Sequence, residues 1–215
     1  INANMQGMED IFKIFIQTRH DVNLVYRLDQ EGTMLYHYPE GPGSTVGDDF
    51  SFRDYYQSAL LSKTALVSKG RISPTTNQAV ATAVMPIREG RNFLGIVATN
   101  IKLESLSKTI EEIYASRRPE EDFEIVILDS NAQIIAFPEP SYLLQSADSI
   151  LPYIYAPLLA GKSGTRIEFA ANGEERLYTY APIESAGWGV IVSRPTAAAF
   201  ATQQSIHRVT IIVVV

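Results

Sequence analysis

The sequence predicts an α+β fold of two tandem modules, each an antiparallel sheet of about five strands flanked by helices, with a long N-terminal stalk helix. The first observation is an internal repeat: residues 22–38 form an apolar run, an Asp-led polar turn and a second apolar run, and residues 123–137 repeat that order. The repeat continues downstream, where residues 79–87 and 93–99 correspond to residues 177–183 and 188–193. A repeat of about 100 residues has the size of a domain, and consecutive hairpins favour antiparallel pairing.

Composition limits the classes of function. The chain has 215 residues, of which 46% are hydrophobic and 20% charged, the profile of a folded protein. The net charge is −6 and the basic residues are not clustered, so nucleic acid is not an expected partner. Because the chain has no cysteine, it has no thiol nucleophile, disulfide or cysteine-based zinc site.

The stalk helix is predicted over residues 1–21. Met5, Met8, Phe12 and Phe15 follow one another at three- and four-residue steps, which is the spacing of one helix face. Two interpretations stay open. The helix packs on its own module, or it also pairs with a second protomer as a short heptad seam does.

The first module is predicted to span residues 22–116. Its elements, in order, are strands 22–28 and 33–38, a short helix 52–61, a brief strand 65–68, a long hairpin 79–87 and 93–101, and a helix 103–116. Turn-forming residues at 29–32, 41–47 and 73–78 separate these elements.

The second module is predicted to span residues 117–196, after a link at 117–122. It repeats the strand–turn–strand unit and continues with a proline-interrupted helical region 142–160 and strands 165–169, 176–182 and 187–192. Residues 197–215 are predicted to form a C-terminal helix entering the membrane, since residues 209–215 read VTIIVVV. A buried terminal strand is the alternative, because β-branched residues favour strands.

No enzyme, metal site or cofactor is predicted. His20, His37 and His207 are scattered without a spacing that suits a metal ion. Gly161-Lys162-Ser163 resembles the end of a phosphate-binding loop. However, Ala156 replaces the glycine that this loop requires, and a strand rather than a helix is expected to follow. The sequence offers no catalytic residue.

Residues 50–56 are the densest aromatic segment and contain one cation, Arg53. Aromatic walls with one guanidinium suit a pocket for a small anion or zwitterion, because the guanidinium donates two parallel hydrogen bonds to a carboxylate. In the alternative interpretation Phe50, Phe52 and Tyr56 belong to the core. Arg53 then pairs with a neighbouring aspartate, namely Asp48, Asp49 or Asp54.

Five segments resemble the double Cache, or tandem PAS-like, extracytoplasmic sensor domains of bacterial and archaeal transmembrane receptors. They are residues 47–59 (GDDFSFRDYYQSA), 67–73 (VSKGRIS), 83–87 (AVMPI), 93–106 (FLGIVATNIKLESL) and 180–192 (YAPIESAGWGVIV). The resemblance covers nearly the whole chain. It implies an antiparallel sheet in each half and a ligand in the first, membrane-distal half.

In the amino-acid-binding branch of this family, Arg53 matches the arginine that grips the ligand carboxylate. Tyr56 matches the aromatic residue that follows, and Tyr55 stands where that branch has a tryptophan.

At the other matching positions the pattern departs from that branch. Arg71 and Ser73 replace a tyrosine and an aspartate, and Asn100 replaces the aspartate that salt-bridges the ligand's amino group. Without these acids, the resemblance implies a carboxylate that lacks an amine. The ligand-binding residues so predicted are Arg53, Tyr55, Tyr56, Arg71, Ser73 and Asn100.

The resemblance implies a small-molecule-sensing ectodomain of a transmembrane signalling receptor, with a sensor histidine kinase as the first choice of parent. A chemoreceptor, a diguanylate cyclase sensor or a ligand-free dimerising ectodomain is the alternative. Terminal helices would lead to the membrane, and the full receptor would be a homodimer.

Overall fold

The computed structural model describes residues 2–116, 122–151 and 154–200. Backbone contacts divide the chain into two compact units, Ile1–Ser107 and Lys108–Val215. The predicted α+β fold with one antiparallel sheet in each module is confirmed. The predicted link between the modules lies almost wholly at residues 117–121, outside the described residues, so its position stays a prediction.

The first module is a six-stranded antiparallel sheet with the order β2-β1-β6-β5-β3, on which β4 also pairs with β5. Its elements are α1 (Asn2–Thr18), β1 (Val22–Leu28), β2 (Met34–Tyr38), α2 (Asp54–Leu61), β3 (Leu66–Val67), β4 (Arg71–Ile72), β5 (Ala79–Glu89) and β6 (Asn92–Lys102). Helix α3 (Leu103–Ala115) follows, and the boundary between the two compact units lies within it.

Alternation along the strands gives this sheet two different faces. The face that carries Leu24 and Tyr26 packs against Tyr55 of α2 and is here called the inner face. The opposite, outer face carries Val25, which packs with Phe12 of α1. Helix α1 therefore packs on its own module, as the first of the two interpretations has it, while pairing with a second protomer stays a prediction.

The second module is a five-stranded antiparallel sheet with the order β8-β7-β11-β10-β9. Its strands and helices are β7 (Glu124–Leu128), β8 (Ile134–Ala136), α4 (Tyr155–Leu159), β9 (Gly164–Phe169), β10 (Glu175–Ile183), β11 (Trp188–Pro195) and α5 (Thr196–Ala199). The order matches β2-β1-β6-β5-β3 of the first module strand for strand. The sequence repeat is thus a repeat of topology.

Two local predictions differ from the structure. The two-residue strand β4 was not predicted, because a strand that short has no alternation to read. Where the sequence predicts a proline-interrupted helical region at 142–160, the structure has the short helix α4 and two 3₁₀ turns, Pro140–Tyr142 and Ala147–Ser149. Prolines remove the amide donors that a longer helix needs.

The predicted membrane segment at residues 209–215 lies outside the described residues. Within the part of the chain that the structure describes, no helix combines the length and the apolar character needed to cross a bilayer.

Candidate functional site

A group of polar side chains occupies the inner face of the first sheet, which is otherwise apolar. Thr82 of β5 and Asn100 of β6 are cross-strand neighbours, and both are buried. The Thr82 hydroxyl donates to Asn100 Oδ1 at 2.9 Å, and Asn100 Nδ2 donates to Ser73 Oγ at 3.2 Å. Buried polar groups need such partners, so these three side chains fix one another's orientation.

Arg71 extends this polar group from the neighbouring strand β4. Its Nη2 donates to Thr82 Oγ1 at 2.7 Å and to Asn100 Oδ1 at 3.3 Å. Its Nε and Nη1 are buried without a hydrogen-bond partner, and no ion pair among the described residues includes Arg71. Each buried donor left without a partner costs about 1–3 kcal/mol. Arg71 therefore offers two unused donors and an uncompensated positive charge.

Two buried phenols, Tyr55 and Tyr26, complete the group. The guanidinium carbon of Arg71 lies 5.2 Å from the centroid of the Tyr55 ring, a cation–π distance. The two hydroxyls are buried and interact with each other, and that of Tyr26 also interacts with Thr82. Burial raises the pKa of Tyr26 well above its usual value, and it raises the pKa of Tyr55 against the opposing charge of Arg71. Both phenols therefore stay protonated and can donate.

We call the six residues that meet here the Arg71 cluster. They are Tyr26, Tyr55, Arg71, Ser73, Thr82 and Asn100.

Arg53 lies beside the cluster, at the start of α2. Its guanidinium carbon is 4.8 Å from the centroid of the Phe52 ring, and its Nε is buried without a partner. The predicted alternative, an ion pair with a neighbouring aspartate, does not occur among the described residues, since Asp54 pairs with Lys69 at 3.4 Å. The charges of Arg71 and Arg53 both act to lower the pKa of Tyr55, so two arginines face one phenol.

Tyr56 and the phenylalanines before it have other environments. The Tyr56 hydroxyl donates to the backbone oxygen of Gln30 at 2.7 Å, and its ring contacts Phe93 edge-on at 5.8 Å. Phe50 is also core, as the alternative interpretation has it, whereas Phe52 is 67% exposed. The structure thus gathers four of the predicted residues into the cluster, with Arg53 beside it, and uses Tyr56 in the core.

Two members of the cluster, Tyr26 and Thr82, were not among the predicted residues. Thr82 lies between Val80 and Val84 on the inward positions of β5, where a polar side chain interrupts an apolar alternation. That interruption was the available signal for Thr82. Tyr26 had no comparable signal, because a tyrosine among apolar strand residues is most simply core.

The family comparison covers nearly the whole chain. The model of the Cache domain matches residues 3–203. Among curated protein sequences, none matches this chain.

Three solved structures show the same fold. The extracellular domain of mmHK1S-Z3, assigned as a histidine kinase, has a TM-score of 0.78 at 12% identity and covers 95% of this chain and 84% of that chain. The ligand-binding domain of the Pseudomonas aeruginosa PAO1 amino acid chemoreceptor PctB, in complex with L-Arg, gives 0.63 at 18% identity, with coverages of 84% and 74%. The ligand-binding domain of Mlp24 with asparagine gives 0.64 at 16% identity, with coverages of 93% and 86%.

Proposed function

This chain belongs to the Cache-domain family, and we propose that it is the extracytoplasmic small-molecule-sensing part of a transmembrane signalling receptor. In this proposal the two modules form a double Cache, and the first module holds the ligand at the Arg71 cluster. The ligand is a small carboxylate without an amino group.

The observation that carries this proposal is the unpaired charge of Arg71. Two of its buried nitrogens have no partner, and the polar side chains that it touches, Thr82 and Asn100, are uncharged. A carboxylate in reach of Arg71 Nε and Nη1 would satisfy donors that the chain leaves open. A ligand-free dimerising ectodomain would have no use for such donors.

The charges of the Arg71 cluster are the reason that we propose a ligand without an amino group. It contains no carboxylate side chain, so a ligand ammonium placed there would be buried without a counterion, which costs several kcal/mol. The structures of PctB and Mlp24 hold L-Arg and asparagine, which carry both a carboxylate and an amine. We infer that this chain has side chains that bind a ligand carboxylate and lacks side chains that bind an α-amino group.

Calorimetry with propionate, lactate and alanine tests the ligand class, because lactate and alanine differ only in a hydroxyl against an ammonium. Lactate or propionate is expected to bind, and alanine to bind at least roughly tenfold more weakly. A preference for alanine would contradict the proposal.

Substitution of Arg53 tests the site itself. Arg53→Ala should weaken carboxylate binding roughly tenfold to a hundredfold, since a charge-assisted contact contributes about 1.5–3 kcal/mol. Arg53→Lys should restore only part of this, because an ammonium lacks the planar fork. Arg91→Ala, in the exposed turn between β5 and β6, is the matched control and should change nothing. Affinity that is indifferent to Arg53 would count against the site.

A sensor histidine kinase is our proposed parent. The support is that the histidine kinase ectodomain has the highest TM-score of the three structures above. Autophosphorylation of the full-length receptor in membranes, measured with and without the carboxylate, tests it. A cytoplasmic part without kinase activity would refute this parent, whereas a phosphorylation level that does not change with the carboxylate would refute the ligand.

A further inference from the structure

The second module has its own cavity at the place that corresponds to the Arg71 cluster. It has a volume of about 290 Å³, which is close to the lower limit of ligand pockets. Its floor is formed by Val126, Tyr178 and Ile191, which lie on β7, β10 and β11. These strands correspond to β1, β5 and β6, the strands that carry Tyr26, Thr82 and Asn100 in the first module.

Three of the side chains that line this cavity are aromatic. Phe137 and Tyr142 meet edge to face with their centroids 5.4 Å apart, and Tyr178 is the third ring. Aromatic faces attract cations through their quadrupole, by about 0.5–2 kcal/mol when the contact is desolvated. A cavity with several rings therefore favours a small organic cation over an anion of the same size.

The charged groups at the cavity also favour a positively charged ligand. Glu124 lines it, and the side chain of Glu124 is 52% exposed. The guanidinium of Arg176 is buried beside Glu124 and already paired: Nη1 donates to Glu174 at 2.7 Å, and Nη2 lies 3.6 Å from Glu124. Its Nε donates to Ser193 Oγ at 3.2 Å. Two carboxylates against one guanidinium leave an excess of negative charge, and each of the three nitrogens of Arg176 already has a partner.

Among the described residues, the lining contains no Lys, Arg or His. Burial raises the pKa of Tyr178, and the carboxylates of Glu124 and Glu174 act in the same direction against Arg176. The phenol therefore stays neutral at physiological pH and adds no negative charge of its own.

We propose that the second module binds a small organic cation in this cavity, with its charged nitrogen against Glu124 and the rings of Phe137, Tyr142 and Tyr178. This site is separate from the carboxylate site of the first module, and neither depends on the other. The two modules would then bind ligands of opposite charge.

Choline and its neutral isostere 3,3-dimethylbutan-1-ol test the inference by calorimetry on the whole chain, because they differ only in the quaternary nitrogen. Choline is expected to bind in the millimolar range or tighter, and the neutral alcohol at least roughly tenfold more weakly. No binding of choline, or equal binding of both probes, overturns the proposal.

Two substitutions locate the site. Glu124→Gln should weaken choline roughly tenfold, and Tyr142→Leu should do so while leaving Arg176 and its partners intact. Thermal unfolding checks that both variants fold. Arg71→Ala is the control from the other module and should leave choline affinity unchanged, so that failure here is distinguishable from failure of the carboxylate proposal. Choline affinity indifferent to both Glu124 and Tyr142 overturns the assignment.

Discussion

Arg71 of the first module and Arg176 of the second both contact polar side chains next to their own sheets, but only Arg176 is paired with carboxylates. Arg176 of the second module is 5% exposed and contacts two glutamates, Glu174 and Glu124. Arg71 of the first module contacts a hydroxyl and an amide, and it keeps two buried nitrogens without partners. The same strand order thus accommodates a guanidinium whose charge is paired within the chain and a guanidinium whose charge is not.

This difference shows how two modules of the same fold can use an arginine for different purposes, one for stability and the other for ligand binding. A guanidinium that is paired with carboxylates of its own chain has its charge compensated before a ligand arrives, and removing it leaves those partners uncompensated. An unpaired one lowers the stability of the free protein and keeps its donors for an anion. The contrast between Arg176 and Arg71 therefore predicts that mutation of the first affects mainly folding and mutation of the second mainly binding.

The largest expected effect is on stability. Arg176→Met should lower the free energy of unfolding by about 2–4 kcal/mol, at the low end because Glu174 and Glu124 remain partly in water. Urea unfolding measures it. Arg71→Met is the matched control and should not lower the unfolding free energy, because it removes two buried donors that have no partner. If both variants lost the same free energy of unfolding, the proposed difference between Arg176 and Arg71 would be wrong.

The next effect is on binding. Arg71→Met should weaken carboxylate binding roughly tenfold to a hundredfold, the counterpart of about 1.5–3 kcal/mol for a charge-assisted contact. Isothermal calorimetry with the best-binding carboxylate measures it, and choline affinity serves as the internal reference. If the carboxylate bound equally well to this variant, Arg71 would have only a structural role.

A third variant gives Arg71 of the first module a carboxylate partner, as Arg176 has in the second. Asn100→Asp places a carboxylate where Asn100 Oδ1 now lies 3.3 Å from Arg71 Nη2, so the guanidinium gains a partner. Affinity for lactate should fall roughly tenfold, and alanine should gain relative to lactate because its ammonium now has a counterion. Competition calorimetry measures the ratio. Asn92→Asp, at the exposed start of β6, is the control, and a ratio unchanged by Asn100→Asp would refute this account.

The smallest effect concerns the phenols. Because burial raises the pKa of Tyr26 in the folded state, its contribution to stability is complete below pH 10 and is lost as the pH rises from the unfolded value towards the folded one. The free energy of unfolding should therefore decline above pH 10, and Tyr26→Phe should flatten that decline. Urea titrations between pH 8 and 11 measure the slope. An identical slope in Tyr26→Phe would mean that this phenol titrates as it does in the unfolded chain.

Local sequence features predicted much of the fold. Asp29 and Asp129 begin matching turns, and each aspartate accepts from the amides two and four residues ahead. Such turns are formed by neighbours in the chain, so their residue pattern is visible in the sequence. The hairpin of β5 and β6 was predicted for the same reason.

The candidate site was predicted less completely, because its contacts are not local. Arg71 meets Asn100 from 29 residues away, through a strand of two residues that leaves no pattern. Tyr55 and Tyr56 are adjacent in the sequence and looked equivalent. Helix α2 turns one towards Arg71 and the other towards Gln30, a choice that depends on how the helix packs.

The shortness of β4 has a kinetic consequence. Arg71 is held to the sheet through the pairs Arg71↔Val80 and Ile72↔Ala79, and among the described residues no strand pairs with its other side. Edge segments with few hydrogen bonds open locally at low free-energy cost, well before the sheet unfolds. The rate at which a ligand enters would then follow the opening of β4, and a bound anion would hold it closed. Hydrogen exchange at the amides of Arg71 and Ile72 should accordingly slow on ligand addition, while exchange within the interior strand β6 stays nearly constant.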